Sequence, residues 1–221
     1  MRVWLGPALA AHVPPLARAY GIERTVGTDR VAVTFDDGPH PDGTPAVLDE
    51  LAGRGAHATF FLVGEQVARR PALARRIVED GHELAIHGYR HTLILRTRVR
   101  ELATDLDRAL AAIEDAAGVS PTLYRPPYGV FSSGALAHVR ARGWHPLLWS
   151  RWGRDWERRA TPSSIARRAS ARLCPGDVVL LHDSDAYSSA DSWRKTTAAL
   201  PSLLDAVAAI GVPASCVTHS T

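Results

Sequence analysis

Short runs of β-branched or continuously apolar residues alternate along this chain with longer stretches whose apolar positions recur at helical spacing. Bounded by turn residues, the runs 31–35, 58–63, 83–87, 122–126, 146–150, 177–182 and 214–218 predict strands. Between them, Thr44 is placed to cap a helix that opens with Pro45 and closes at Gly53 or Gly55. Pro71 begins another, ended by Gly81. Over 100–117, Leu102, Leu106, Ala109, Leu110 and Ile113 form one helical stripe, and 133–142, 161–173 and 193–210 follow the same logic. This alternation implies an α/β fold with a largely parallel sheet, closed into a barrel or doubly wound. The 221 residues suit one large domain, and no repeat, low-complexity run or charge block marks a second.

In such folds chemistry gathers at the carboxyl ends of the strands. The polar residues do the same here: Asp36 and Asp37 follow the first strand, His87 ends the third, Arg125 the fourth and His182 the sixth. His87 and His91, four apart, share one face of a helical turn and can reach one cation, although Gly88 stands where the HExxH motif has its glutamate. Adjacent carboxylates at Asp36-Asp37 repel each other unless a cation or an arginine neutralises them. Alone, each pair is equally an ordinary turn or a surface feature. Together, one carboxylate and two histidines make a three-ligand site with room for water, which suits a catalytic zinc better than a structural one.

Three further clusters join these. Arg125-Pro126-Pro127-Tyr128-Gly129 is a stiff strand exit whose arginine can hold a carboxylate bidentately. Trp149, Trp152 and Trp156 flank Asp155; tryptophan faces suit sugar rings as well as cores. The apolar strand ending in His182-Asp183 delivers a polar pair, which an ion pair within a core would equally explain.

Composition narrows the partners. With 26 Lys+Arg against 23 Asp+Glu the net charge is only +3, too mild and scattered for nucleic acid. Arginines at 69, 70, 75, 76, 167 and 168 read as solvated helix faces. Cys174 and Cys216 fit neither a disulfide framework nor a Cys-rich zinc site and are expected as inert core thiols. The first 20 residues carry only a short apolar stretch interrupted by His12 and paired prolines. That argues against a signal peptide and a transmembrane helix, and leaves a surface-docking segment over residues 1–30. The sequence assigns neither an oligomeric state nor a compartment.

In this order, the five clusters resemble the NodB-type polysaccharide deacetylases, the fourth family of carbohydrate esterases, from about Val31 to the C-terminus. The resemblance implies a distorted (β/α) barrel over residues 31–221 that hydrolyses N- or O-acetyl groups on chitin, peptidoglycan, xylan and related glycans. It implies Asp36 as catalytic base, with Asp37, His87 and His91 as ligands of one divalent metal. Zinc is the default there, and cobalt, nickel and manganese also suit an N₂O site. By the same match Arg125 orients the base, the Tyr128 amide helps hold the oxyanion, and His182 is the general acid tuned by Asp155, in preference to Asp183. Trp156 and Leu180 match walls of the substrate and acetyl-methyl pocket.

Two positions depart from the family's pattern. Gly88 replaces a usual Ser or Thr whose hydroxyl supports the loop, and Trp152 stands where an aspartate is often found. Competing readings are a deformylase or amidase of a lipid-linked sugar or small amide, a two-His-one-carboxylate iron oxygenase, and a non-catalytic sugar-binding module. The last two give Asp36 and His182 no task.

Overall fold

The computed structural model describes residues 6–218; the first five and last three residues, which belong to the expected 1–30 and 31–221 segments, lie outside it. After a short 3₁₀ turn at Pro7–Leu9 comes α1 (Pro14–Ala19), followed by β1 (Val31–Asp36), α2 (Gly43–Ala52), β2 (Thr59–Leu62), α3 (Gly64–Arg69), α4 (Pro71–Glu79) and β3 (Glu83–Ile86). Then come α5 (Val99–Ala117), β4 (Leu123–Tyr124), α6 (Ser133–Ala141), β5 (His145–Pro146), β6 (Arg151–Trp152), α7 (Pro162–Ala169), β7 (Val178–His182), α8 (Ser192–Ala209) and β8 (Ala214–Ser215).

The strands pair in parallel in the order β5-β4-β3-β2-β1-β7-β6, with β8 beside the start of β1. The two edge strands, β5 and β6, are joined only by residues 147–150. A link that short spans at most roughly 17 Å, whereas seven flat strands would hold their edges about 29 Å apart. The sheet therefore has to curl into a partial barrel. Chain from the N-terminal side lies along the remaining seam: Glu23 bridges Leu147 in parallel and Thr25 bridges Asp177 antiparallel.

Within β1, Thr34 and Asp36 share one face of the strand and Val33 and Phe35 the other, the period of two that strands impose. Phe35 stacks on Phe60 of β2 at 5.1 Å between centroids, and both are fully buried. The expected stripe of α5 is buried at Leu102, Leu106, Ala109 and Ile113, and Gly118 ends that helix in the left-handed conformation. Thr161 caps α7 in a reciprocal box with Ser164.

Several expectations need correcting. Thr44 is not a cap: α2 starts at Gly43, and the Thr44 hydroxyl instead accepts from the His40 amide at 2.7 Å and donates to Asp183. Of the expected strand over 146–150 only Pro146 belongs to a strand, β5 (His145–Pro146), because residues 147–150 bend round to the far edge of the curl, with Leu147 bridging Glu23 on the way. β6 and α3 carry too few residues, two and six, to show a period, and went unread. Of the two thiols, Cys216 is buried but Cys174 is exposed. No helix among the described residues is long and apolar enough to cross a membrane.

The Phe35–Phe60 stack lies at the middle of the sheet, where no backbone can collapse to fill a void. Phe60→Ala should therefore cost about 3–5 kcal/mol of unfolding free energy, read from urea titration; a loss below 1 kcal/mol would mean that the centre of the sheet is not packed as described.

Candidate active site

The curl brings the carboxyl ends of β1, β3, β4, β6 and β7 round one cavity. Asp36 and His182 are register partners on β1 and β7, so one sheet pairing sets their spacing. Asp37, the next residue, takes a positive φ of 80°. The sequence leaves the direction of its side chain open; that turn brings the carboxylate to the histidines. Its Oδ1 lies 3.5 Å from His87 Nε2 and 3.2 Å from His91 Nε2.

These three groups fit a cation. His87 Nδ1 lies 2.8 Å from the Arg125 carbonyl and can only donate to it, which leaves the Nε2 lone pair facing the carboxylate. Asp37 Oδ1 is buried and makes no hydrogen bond, and one ligand atom from each residue falls within 4.8 Å of the others. Two lone pairs and a carboxylate oxygen repel each other unless a positive ion lies among them. Burial takes the His91 imidazolium down to about 4, against the pull of Asp37, so the His91 ring is a neutral donor near pH 7. Burial also works against the Asp37 carboxylate, but the rings of His87, His182 and His91 outweigh it and hold its carboxyl below the ordinary range.

The loop 88–91 is held differently from the family pattern. Gly88 has φ 87°, and a Cβ there would come within 3.2 Å of the Arg90 carbonyl and 3.3 Å of the Asp105 carboxylate. Asp105, from α5, accepts from the amides of Tyr89 at 2.8 Å and Arg90 at 3.3 Å. The support that a hydroxyl at position 88 would give thus comes from a helix. Nothing in the sequence marked Asp105, which the structure leaves partly exposed beside the buried stripe of α5.

Arg125 is fully buried and does not face the cavity. Its Nη1 donates to Asp36 Oδ1 at 2.6 Å and to Thr34 Oγ1 at 3.0 Å, Nε and Nη2 donate to the carbonyls of Leu147 and Leu148, and its plane lies 3.9 Å over Phe61. Burial lowers the guanidinium's pKa from its ordinary value and Asp36 opposes that. Asp155 is also fully buried; it accepts from the His182 amide at 2.7 Å and from Thr196 Oγ1 at 2.7 Å, and lies 2.9 Å from His182 Nδ1. Burial alone would lower the His182 pKa, but the charge and hydrogen bond of Asp155 reverse this and push it up to about 10. Asp183, the sequence neighbour, turns to Thr44 instead, and burial pushes its carboxyl up to about 7.

Asp36, Asp37, His87, His91, Tyr128, Trp156, Leu180 and His182 all line one cavity of about 290 Å³. Tyr128 has φ 60°, and the hydrogen bonds of its loop, from Gly129 to Pro126 and from Val130 to Pro127, do not engage its amide. The Trp156 ring meets His182 edge-on at 5.4 Å. The cavity also has walls that the sequence did not single out. Tyr187 stacks on His91 at 4.3 Å, with its hydroxyl donating to Glu65. His12 and Arg154 complete the far wall with Trp149 and Trp152. Tyr187 and His12 belong to irregular stretches without period or motif, so only packing could reveal them.

The sequence profile of the family described as polysaccharide deacetylase matches residues 23–146. A chitooligosaccharide deacetylase of Bradyrhizobium is 40% identical over 158 residues, covering 71% of this chain and 72% of the relative. A peptidoglycan-N-acetylglucosamine deacetylase of Bacillus cereus is 35% identical over 176 residues, 79% of each chain. Among solved structures, the Bc1960 peptidoglycan N-acetylglucosamine deacetylase superposes with a TM-score of 0.83 at 25% identity, over 91% of this chain and 92% of its own. The profile match over more than half of the chain and the Bradyrhizobium relative, on the same fold, lead to one conclusion: this chain belongs to the polysaccharide deacetylase family.

Proposed function

We propose that the chain is a metal-dependent hydrolase that removes the N-acetyl group from an amino-sugar unit of a glycan such as a peptidoglycan strand or a chitin-like oligomer. The observation that carries this reading is the register pairing of Asp36 with His182 beside the Asp37–His87–His91 cluster, in one cavity with apolar walls. Those three residues would hold a divalent ion, zinc by preference, which would supply Lewis acidity toward water and the acyl carbonyl. Asp36, fixed by Arg125, takes the proton from the attacking water. Protonated His182 gives a proton to the departing nitrogen, since an amine leaves poorly without one. The Tyr128 amide, unused by its own loop, is a donor for the developing oxyanion. Leu180 and Trp156 bound the space for the acetyl methyl and the sugar face. An iron oxygenase or a binding module would leave the Arg125–Asp36 and His182–Asp155 pairs without work.

Metal analysis with acetate and formate release from N-acetylglucosamine oligomers tests the reading and separates acetyl from formyl chemistry. Replacing His91 by Ala should lower both metal content and turnover; full metal retention would remove His91 as a ligand. Asp36→Asn should keep the metal while kcat falls at least about 100-fold, the scale of general-base loss. Loss of metal in that variant would exchange the roles of Asp36 and Asp37.

His182→Ala should harm an N-acetyl sugar severely and an activated aryl acetate far less, because an aryl oxide leaves unprotonated. Equal damage to both substrates would exclude His182 as the acid. The pH dependence has a fixed sign. The folded pKa of His182, about 10, lies above its ordinary 6.5. The stabilisation from its pair with Asp155 is therefore complete below about 6.5 and lost as pH rises through about 10. Asp155→Asn should remove that slope from denaturant titrations and move the alkaline loss of activity to lower pH. Unchanged profiles would show that Asp155 does not set the His182 proton.

A further inference from the structure

A second space lies where α1 and the stretch after it run along the seam of the barrel. It is a groove of about 570 Å³, against about 290 Å³ for the cavity that holds Asp36 and His182, and the two share no lining residue. Backbone laces the seam: the Glu23 amide donates to the Pro146 carbonyl at 3.1 Å, and the Leu148 amide to the Glu23 carbonyl at 2.8 Å. One strip of chain is the partition between the two spaces. Trp149 and Trp152 line the cavity, while Ser150 and Arg151 line the groove.

The groove carries positive charge that the protein does not neutralise. Arg24 lines it partly buried, with Nε donating to the Trp149 carbonyl at 2.8 Å and Nη1 to the Ala10 carbonyl at 3.3 Å. Its Nη2 makes no hydrogen bond, and no carboxylate pairs with it among the described residues. Burial lowers its pKa with no acidic neighbour to oppose the effect. A guanidinium held partly out of water without a counter-charge is a cost to the fold. Arg18, exposed in the last turn of α1, has no hydrogen bond or ion pair among the described residues either. At the edge, Arg140 donates only to the carbonyls of Tyr20 and Gly21. Arg151 differs, because its Nε pairs with Asp177 at 2.8 Å and the two charges cancel. Against these three uncompensated guanidiniums the groove sets one carboxylate outside any ion pair, the exposed Glu23. An excess of two positive charges remains. Pro14, Ala17 and Ile22 give the same groove an apolar side.

We propose that this groove is a second ligand site and takes a small organic phosphate monoester. Such a group carries roughly −1.5 to −2 charges near pH 7, which matches the excess. Guanidinium forks match its oxygens in geometry as well as in charge. The volume lies within the range of about 300 to 1,000 Å³ found for ligand sites, so an organic body fits beside the apolar wall, which a bare ion would leave unused. No catalytic step is involved, and the site stands apart from the hydrolase reading.

Phenyl phosphate titrated into the full chain by calorimetry should bind once per chain. Inorganic phosphate should bind more weakly, and phenol should give no measurable heat. Arg18→Gln should weaken phenyl phosphate about tenfold, the scale of one charge-assisted hydrogen bond, and leave the melting temperature unchanged because Arg18 has no partner to lose. Arg24→Gln should weaken it further, with a melting curve to check that the seam survives. Glu23→Gln should tighten binding, since it removes the one opposing carboxylate. Asp37→Asn and His182→Ala, both in the other cavity, should bind phenyl phosphate as the wild type does.

Absence of binding, or unchanged affinity in Arg18→Gln, would overturn the proposal. Equal affinity for inorganic phosphate would remove the organic body, and equal affinity for phenol would remove the phosphate; either result overturns the assigned ligand class. Loss of binding in Asp37→Asn or His182→Ala would place the phosphate among the Asp37–His87–His91 cluster and its neighbours, and would overturn the second site.

Discussion

The structure turns on one buried cation. Arg125 has no exposed surface, and each of its nitrogens is used: on Asp36 and Thr34 of β1, and on the carbonyls of Leu147 and Leu148. A guanidinium out of water is tolerable only when its charge is matched and its donors are satisfied. Those partners come from one central strand and from the link between the two edge strands. Satisfying Arg125 therefore requires that the sheet be curled, and the same contact fixes the Asp36 carboxylate. The barrel's closure and the orientation of the proposed base are one constraint.

A similar economy governs the other side. Asp155 is buried behind His182 and receives its ring, its amide and the Thr196 hydroxyl. The imidazole is held in position and in charge by the same carboxylate. Between these two ion pairs, the Asp37–His87–His91 cluster has the opposite character: a carboxylate oxygen without a hydrogen bond faces two imidazole nitrogens. Fixed charge on both flanks and lone pairs in the middle suit proton delivery at the flanks and a cation at the centre.

Where the chain departs from its family's pattern, the supporting contacts have moved. Gly88 gives up a hydroxyl and adopts a left-handed turn, while Asp105 holds the amides that follow it. At position 152 a tryptophan replaces a common aspartate, and the N-terminal stretch packs His12 against it. Both changes draw on segments distant in sequence, and both alter the surroundings of the Asp37–His87–His91 cluster while leaving its three residues together.

The sequence by itself determined the alternation of strands and helices, the sheet edge at which the polar residues gather, and which charged and candidate ligating residues stand there. Each of these follows from local information: period two or 3.6, a turn residue, or a motif within a few positions. The short strands β4, β5 and β6 were read poorly, because two residues carry no period and the curl sets their pairing. Thr44 looked like a cap because capping is a local habit, yet its hydroxyl serves Asp183, 139 residues away. Sequence adjacency pointed to Asp183 as the partner of His182 and the family resemblance to Asp155; the fold places Asp155 there, 2.9 Å from His182 Nδ1. His12, Tyr187 and Asp105 carry no local signal at all. They matter because the chain folds them against residues far along it, and such proximity exists only once the sheet has curled.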